Sequence, residues 1–304
     1  MFIGHKKQLN FLINSLKNNK LSQVYLFSGP ESVGKFTLAK MLSLTLIDET
    51  VEIDKNYFLA QAENKNSDIQ ILAPRVIEKK GITKSKDIQV EDIREAQKNL
   101  TLFPSKGKYR ILIINDAHRL TSAAQNALLK NLEEPVSSVI IILVTSAEGR
   151  ILKTIKSRCQ KINFNLVALE DIKLGFRNQI AAESLDKLVI FSMGKPGEIK
   201  RLNEKIDNFK ERELAMRELG ELGKLPLFQR MDLAQEWSKN VGKTRKKIEF
   251  WIWIMRLQTF KNLNNPNLVR NNYLIIGKME DVLLKLKNAS FNSRLILENL
   301  FLSF

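Results

Sequence analysis

The sequence predicts an α/β fold on a parallel sheet, followed by a small helical segment and an all-helical region. Three observations carry that expectation. Two apolar runs, residues 111–114 (ILII) and 139–144 (VIIILV), are continuous rather than alternating, which suits strands covered on both faces. Residues 123–134 between them have helical spacing, with Ala124, Ala127, Leu128 and Leu132 on one face, so 108–159 reads as a strand–helix–strand unit. From residue 208 the pattern is helix after helix, with polar breaks near 223–226, 240–244 and 262–272. Ligands of an open parallel sheet sit at the carboxyl ends of its strands. That rule singles out Asn115 and Asp116 after the first strand, and Thr145 and Ser146 after the second.

Composition bounds the function classes. A chain of 304 residues has room for two or three domains with ample core. Its single cysteine, Cys159, excludes an intrachain disulfide and a cysteine zinc cluster, and points to a reducing compartment. The N-terminus MFIGHKKQLNF lacks the apolar core of a signal peptide, and no apolar run approaches the ~18 residues of a membrane span. The net charge of +16 suits a polyanionic partner such as nucleic acid. It is spread out, however, with +7 in residues 201–304 and no polybasic tail, and a solvated lysine-rich surface explains it equally well.

Taken in order, residues 9–16 form a short amphipathic helix and 24–27 a compact apolar strand. The strand runs into Gly29, Pro30, Glu31, Ser32, Val33, Gly34 and Lys35, the first seven positions of the phosphate-loop pattern GxxxxGK[ST], and a helix follows. In that setting successive N–H groups and the helix N-terminus cradle phosphates, and Lys35 adds a point charge. A strand-to-helix turn that binds nothing is the weaker alternative. The eighth position should carry a hydroxyl for Mg²⁺ but is Phe36. Thr37 comes one residue late, turned by roughly 100° on the helix and away from the metal. Phosphate binding survives that change better than metal-assisted hydrolysis does.

Residues 48–68 read as a polar connection with weak helix, 69–72 as a strand ended by Pro74, and 79–86 as a loop. A helix over 90–100 has Glu91 and Asp92 in its first turn, and 103–107 is a turn. After Cys159 come a short strand (161–164), helices over 166–190, and a turn at 194–197 opening another helix. Residues 250–255 (FWIWIM) are apolar all round a helix over 246–261. Such a helix must be buried on every side, in its own core by default or against a partner. Residues 290–304 are amphipathic, and His5 and His118 are isolated and read as structural.

Three further motifs stand out: NALLKNLEEP at 126–135, Ser157-Arg158-Cys159 at the end of the next βα unit, and NASFNSRLILENLF at 288–301. Together with the phosphate loop they resemble the bacterial clamp-loader subunits of DNA polymerase III, an AAA+ family, most closely its delta-prime branch. The resemblance covers nearly the whole chain. It implies a RecA-like domain over 1–164, a helical lid over 165–206 and a helical collar over 207–304. It also implies a hetero-pentameric ring with delta and gamma/tau subunits, joined through the collars. Such a ring uses ATP to open a sliding clamp and set it on primer-template DNA. The place implied is the bacterial cytoplasm, at the replisome, with no membrane.

By the same resemblance, the acidic pair of the ATPase members falls on Asn115 and Asp116, the sensor-1 hydroxyl on Thr145 or Ser146, and the sensor-2 arginine on Gly197. The family's four-cysteine zinc module has no counterpart in residues 47–70, so no metal is expected. Phe36, Asn115, Asp116 and Gly197 each remove or weaken part of hydrolysis, and one lost electrostatic stabiliser commonly costs several kcal/mol of transition-state energy. The expectation is a degenerate phosphate loop that needs no cofactor, or holds ATP or ADP without hydrolysis. Little turnover of its own is expected within the polymerase holoenzyme.

The resemblance makes Arg158 an arginine finger acting in a neighbour's ATP site, a role worth ~10³–10⁵ in rate where it is known. From the residues alone it pairs with Glu133 or Glu134. Those two sit against the dipole at a helix C-terminus, which suits a cationic partner or a solvated helix end. Cys159 reads as a buried packing residue. Two other functional readings stand beside this one. One is an ATP-hydrolysing motor subunit, with Thr37 on the metal and Asp116 as base. The other is a nucleic-acid-binding AAA+ module outside replication.

Overall fold

The computed structural model describes residues 2–48, 53, 66–79, 82–105, 107–134, 136–288 and 290–304. The chain divides into two compact units, Met1–Ala181 with Gly194–Gly197, and Ala182–Met193 with Glu198–Phe304. The first unit thus extends past residue 164, and residues 182–193 group with the C-terminal helices.

The first unit is built on strands β1 (Val24–Ser28), β2 (Ile69–Leu72), β3 (Arg75–Lys79), β4 (Ile82–Lys86), β5 (Arg110–Ile114), β6 (Val139–Thr145) and β7 (Gln160–Asn163). Five of them form one sheet in the order β2-β5-β6-β1-β7, and every pairing is parallel. The continuous apolar runs resolve into two faces. Tyr25, Phe27, Ile111, Ile113, Ile140, Ile142 and Val144 meet Leu12 of α1 (Lys6–Lys17) and Leu38, Met41 and Leu42 of α2 (Lys35–Ile47). Val24, Leu26, Leu112, Ile114, Ile141 and Leu143 meet Ile93 and Ala96 of α3 (Val90–Leu100) and Ala124, Leu128 and Leu132 of α4 (Ser122–Glu133). Successive strand residues point to opposite faces, so a strand with a core on each side must be apolar throughout. Helix α3 starts on a capping box in which the Gln89 N–H donates to Asp92 at 2.8 Å. After β1 the chain crosses to the far edge, returns through β5 and β6, and ends at β7 on the other side of β1. This places the switch of strand order at β1, where such sheets bind ligands.

One expectation needs correction. Residues 82–86, expected within a loop over 79–86, form a strand instead: β3 and β4 pair antiparallel as a separate two-stranded sheet, with Arg75 opposite Lys86 and Val76 opposite Ser85. The pairing is local and made by backbone, which lysine-rich composition does not report. The polar breaks near 240–244 and 262–272 are present but short, at residues 239–240 and 262–265. Asn240 caps helix α11 (Val241–Lys261), accepting from the Lys243 N–H at 3.1 Å, and Asn265 with Pro266 starts α12 (Pro266–Lys285). Most of the connection expected at 48–68 lies outside the described residues, as do Lys106 of the turn at 103–107 and Pro135 and Ala289 of the motifs.

In the first unit, α5 (Lys153–Lys156) precedes β7 and α6 (Leu169–Phe176) follows it. The remaining helices are α7 (Ala182–Phe191), α8 (Pro196–Glu204), α9 (Ile206–Glu221), α10 (Leu227–Ser238), α11, α12 and α13 (Ser293–Phe301). Helix α11 is the axis of the second unit. Phe250, Trp251, Ile252, Ile254 and Met255 are buried, and the Trp251 indole donates to the Ala215 carbonyl at 2.7 Å. Trp237 and Phe301 pack on Trp251, and Phe191 meets Phe250 edge-on. The stretch that is apolar all round is therefore core of its own unit. Among the described residues, no helix is long and apolar enough to cross a membrane.

Candidate functional site

Because β5, β6 and β1 are adjacent and parallel, their carboxyl ends lie side by side and the loops after them form one site. The loop after β1 runs from Gly29 to Lys35. Gly29 has φ +152°, and a Cβ there would stand 2.1 Å from the Phe164 carbonyl oxygen, so only glycine fits. Its N–H donates to the Thr145 carbonyl at 3.2 Å, tying the loop to the end of β6. Gly34, at φ +104°, is the residue before α2, and a Cβ there would reach the Phe2 ring at 2.9 Å. The N-terminal segment thus closes over the loop. The ring of His5 contacts the Val33 carbonyl through Nε2 at 3.0 Å and packs on Phe164.

Lys35 is 7% exposed. Its ammonium donates to the Gly29 carbonyl at 2.7 Å and to the Pro30 carbonyl. Burial pulls its pKa down to about 8, against the opposing fields of Glu31 and Asp116, with Lys195 adding to the fall. A phosphate entering here would offer the ammonium a stronger acceptor than two neutral carbonyls. The loop backbone, the N-terminus of α2 and Lys35 therefore fit a phosphate group.

They do not fit a metal-assisted one. Phe36 packs against the core, with the Lys40 ammonium over its ring, and offers no oxygen. Thr37 is half-buried one position further on. Asn115 is half-buried, and its N–H is committed to the Leu72 carbonyl at 2.8 Å. An amide side chain is a weaker Mg²⁺ ligand than a carboxylate. Asp116 follows in a left-handed conformation, φ +52°, and its carboxylate faces the field of Lys35 and His118. Thr145 is buried and its hydroxyl accepts from the Ala147 N–H at 3.1 Å. Of the two hydroxyls after β6, Ser146 is the one that touches the loop, donating to Glu31 at 3.3 Å. Gly197 lies on the loop as well. Its N–H donates to the Ser32 carbonyl at 2.9 Å, a Cβ would stand 3.0 Å from that oxygen, and glycine itself offers no side chain toward the loop.

Arg158 is elsewhere. It precedes β7, whose Gln160 pairs with Tyr25 near the start of β1, whereas the phosphate loop leaves the far end of that strand. A five-residue strand separates the two by at least ~13 Å. The guanidinium donates to Glu133 at 3.0 Å and to the Thr154 carbonyl at 3.0 Å, with side-chain exposures of 37% and 51% for Arg158 and Glu133. An ion pair that exposed is worth ~0–1 kcal/mol, so another anion could draw Arg158 away at little cost. Cys159 beside it is half-buried, its thiol donates to the Ile155 carbonyl at 3.1 Å, and burial pushes its pKa up to about 12. It is a packing residue.

The family described as DNA polymerase III, delta subunit, matches residues 4–168, over half of the chain and the whole of the sheet. The chain belongs to that family, among the AAA+ clamp-loader subunits. It is 35% identical over 186 residues to the DNA polymerase III subunit tau of Bacillus subtilis, covering 60% of this chain and 32% of that protein. Against the gamma/tau subunit of Mycoplasma genitalium it is 29% identical over 221 residues, covering 69% and 36%. The chain thus spans about a third of the length of these relatives. A DNA polymerase III gamma-subunit-related protein of Thermotoga maritima aligns over 97% of both chains, at 20% identity and a TM-score of 0.44, too low to add to the assignment.

For a clamp-loader chain the site holds two residues that sequence reasoning set aside. His5 touches the phosphate loop across 28 positions of sequence. His118 lies in the field of Asp116 and Glu31, its Nδ1 is buried without a hydrogen-bond partner among the described residues, and burial holds its pKa down. No spacing rule relates either histidine to the loop. One signal was present for His118: it follows Asp116 by two residues, in the segment after a buried strand.

Proposed function

We propose that this clamp-loader subunit plays the delta-prime role: it hydrolyses no ATP and holds Arg158 for the nucleotide site of a neighbouring subunit. The observation that carries the reading is the placement of Arg158 at the strand-amino end of the sheet, away from its own phosphate loop, in an exposed ion pair with Glu133 and a hydrogen bond to the Thr154 carbonyl. The loop itself supports the first half. It retains groups for phosphate, and Phe36, Asn115 and the bare backbone at Gly197 withhold what metal-assisted transfer uses. ATP or ADP, if taken up, would be held rather than turned over. On this reading the partners are delta and gamma/tau subunits in a hetero-pentameric ring, and through them the sliding clamp and primer-template DNA.

The competing reading is a gamma/tau-type motor, favoured by the names of the relatives. Steady-state ATP hydrolysis by the isolated chain with Mg²⁺ separates them. The delta-prime role predicts no turnover above background and no effect of Lys35→Ala. Turnover that Lys35→Ala abolishes would establish the motor instead.

A further inference from the structure

The register of β3 and β4 sorts their residues by charge. Arg75 stands opposite Lys86, Ile77 opposite Lys84 and Lys79 opposite Ile82. Successive residues of a strand fall on opposite faces. One face of this two-stranded ribbon therefore holds Arg75, Lys79, Lys84 and Lys86 with Ile77 and Ile82. The other holds Val76, Glu78, Thr83 and Ser85. All the cations of the two strands share one face, and their single acid is on the other. Like charges placed directly opposite, as at Arg75 and Lys86, weaken a strand pair, and two strands without a third are marginal to begin with. That arrangement costs stability in the free chain and is offset only where anions meet the cationic face.

The base of the ribbon is fastened to the rest of its unit. The Arg119 guanidinium donates to Asp87 at 2.8 Å, to the Ser85 carbonyl at 2.7 Å and to the Ser85 hydroxyl. Ile88 and Leu120 form a parallel bridge, with the Ile88 N–H donating to the Arg119 carbonyl at 3.0 Å and the Thr121 N–H to the Ile88 carbonyl at 3.1 Å. Ser85, on the face without cations, is thus the residue that meets Arg119. On the cationic face, Lys86 is exposed and Arg75 has 71% of its side chain in solvent. Of the carboxylates at the base, Asp87 is taken up by Arg119, and Asp92 by Arg75 at 2.6 Å and by the Gln89 N–H.

The spacing of the cations says what fits them. Same-face residues recur every ~6.8 Å along a strand, so the four make a strip ~14 Å long and one strand spacing, ~4.8 Å, wide. Duplex DNA presents one phosphate per ~1.7 Å of its axis, about eight over that length. Its major groove also admits a two-stranded ribbon. The net charge of +16 on the whole chain favours the approach of such a polyanion.

We propose that the β3–β4 ribbon is a docking surface for duplex DNA, with Arg75, Lys79, Lys84 and Lys86 on its phosphates. Contacts of this kind hold the backbone and read no base. Arg158 and the phosphate loop take no part, so the surface serves equally in a subunit that hydrolyses ATP and in one that does not.

The test is fluorescence anisotropy of a labelled duplex of about 20 base pairs with the full chain, between about 50 and 200 mM salt. Wild type is compared with Lys79→Gln/Lys84→Gln/Lys86→Gln, and with Lys210→Gln/Lys239→Gln/Lys246→Gln, which removes the same charge from exposed positions of the second unit. Thermal unfolding of each is read alongside. Four neutralised phosphates contribute a slope of about −3.6 to log K against log salt concentration. The ribbon variant should flatten the slope by about 2.7 and weaken binding at least tenfold, equally on two unrelated sequences. Its Tm should be no lower than that of wild type, because the like-charged pair is gone. The second-unit variant should keep most of the slope. Wild-type slope and affinity in the ribbon variant overturn the proposal, as does equal flattening by the second-unit variant, which would make the binding a matter of net charge. Wild type that fails to bind duplex at the lowest salt, or that releases it to poly-glutamate of equal charge, overturns it too.

Discussion

Replacing Lys35 by methionine should change how the stability of this chain depends on pH. The buried ammonium titrates at about 8, against 10.5 in an exposed lysine, and burial is the main cause. The folded chain therefore holds this proton more weakly than the unfolded chain does. Between the two values the unfolded chain carries more protons, so stability rises with pH across that window and is lowest below it. The full difference is about 3 kcal/mol, of which about 2 kcal/mol falls between pH 7.5 and 9.5. Methionine fills a similar volume and carries no proton. It loses the hydrogen bonds to Gly29 and Pro30, a penalty that does not vary with pH. Urea unfolding followed by circular dichroism at the two pH values, on both proteins, isolates the effect, because every other titrating group is common to both. Wild type should gain about 2 kcal/mol relative to Lys35→Met on going from pH 7.5 to 9.5. A difference that stays constant would refute the reasoning, and with it the buried, carbonyl-bound placement of the ammonium.

Two more outcomes follow from the same geometry. Gly29→Ala puts a Cβ 2.1 Å from the Phe164 carbonyl at a backbone angle that L-residues avoid, and should destabilise by about 3 kcal/mol or more in urea unfolding; a loss near zero would mean that the loop relaxes freely. Cys159, with a thiol titrating at about 12, should react with iodoacetamide at pH 8 at least about 100-fold more slowly in the folded chain than in urea; fast labelling of the folded chain would contradict the packing described.

The parts of the fold that were legible in the sequence are those where one physical demand dominates. Residues 111–114 and 139–144 had to be apolar throughout because a core lies on each face, and the glycines of the phosphate loop had to be glycines because the Phe164 carbonyl stands against Gly29 and Gly34 has φ +104°. Helix α3 was readable because its amphipathic spacing and its acidic first turn agree. The two-stranded sheet of β3 and β4 was not, since its strands pair only with each other. The breaks expected near 240–244 and 262–272 are present but shorter, because Asn240 and Asn265 cap the helices that follow and so start them at Val241 and Pro266.

For the site, the loops after β1, β5 and β6 were legible from the rule on strand ends. The contacts that close the loop were not. His5 to Val33 and Gly197 to Ser32 join positions far apart in sequence, and each is a single bond to a backbone carbonyl, which leaves no compositional trace. The pairing of Arg158 with Glu133 was readable as one of two options, and it is the one found in the isolated chain. The hydrogen bonds of the Arg110 guanidinium to the carbonyls of Leu102 (3.0 Å) and Phe103 (2.8 Å) were invisible too, because nothing in the sequence marks which arginine will hold a turn until the fold brings them together.

The central claim is that this subunit supplies Arg158 to another subunit's chemistry and performs none of its own. Steady-state ATP hydrolysis by the reconstituted clamp loader, with sliding clamp and primed DNA, tests it most directly when wild type is compared with Arg158→Ala and Lys35→Ala in this subunit alone. The account predicts that Arg158→Ala slows the complex at least tenfold at the site it serves, and that Lys35→Ala leaves the rate unchanged. A complex slowed by Lys35→Ala and indifferent to Arg158→Ala would contradict it, and would make this chain a working motor.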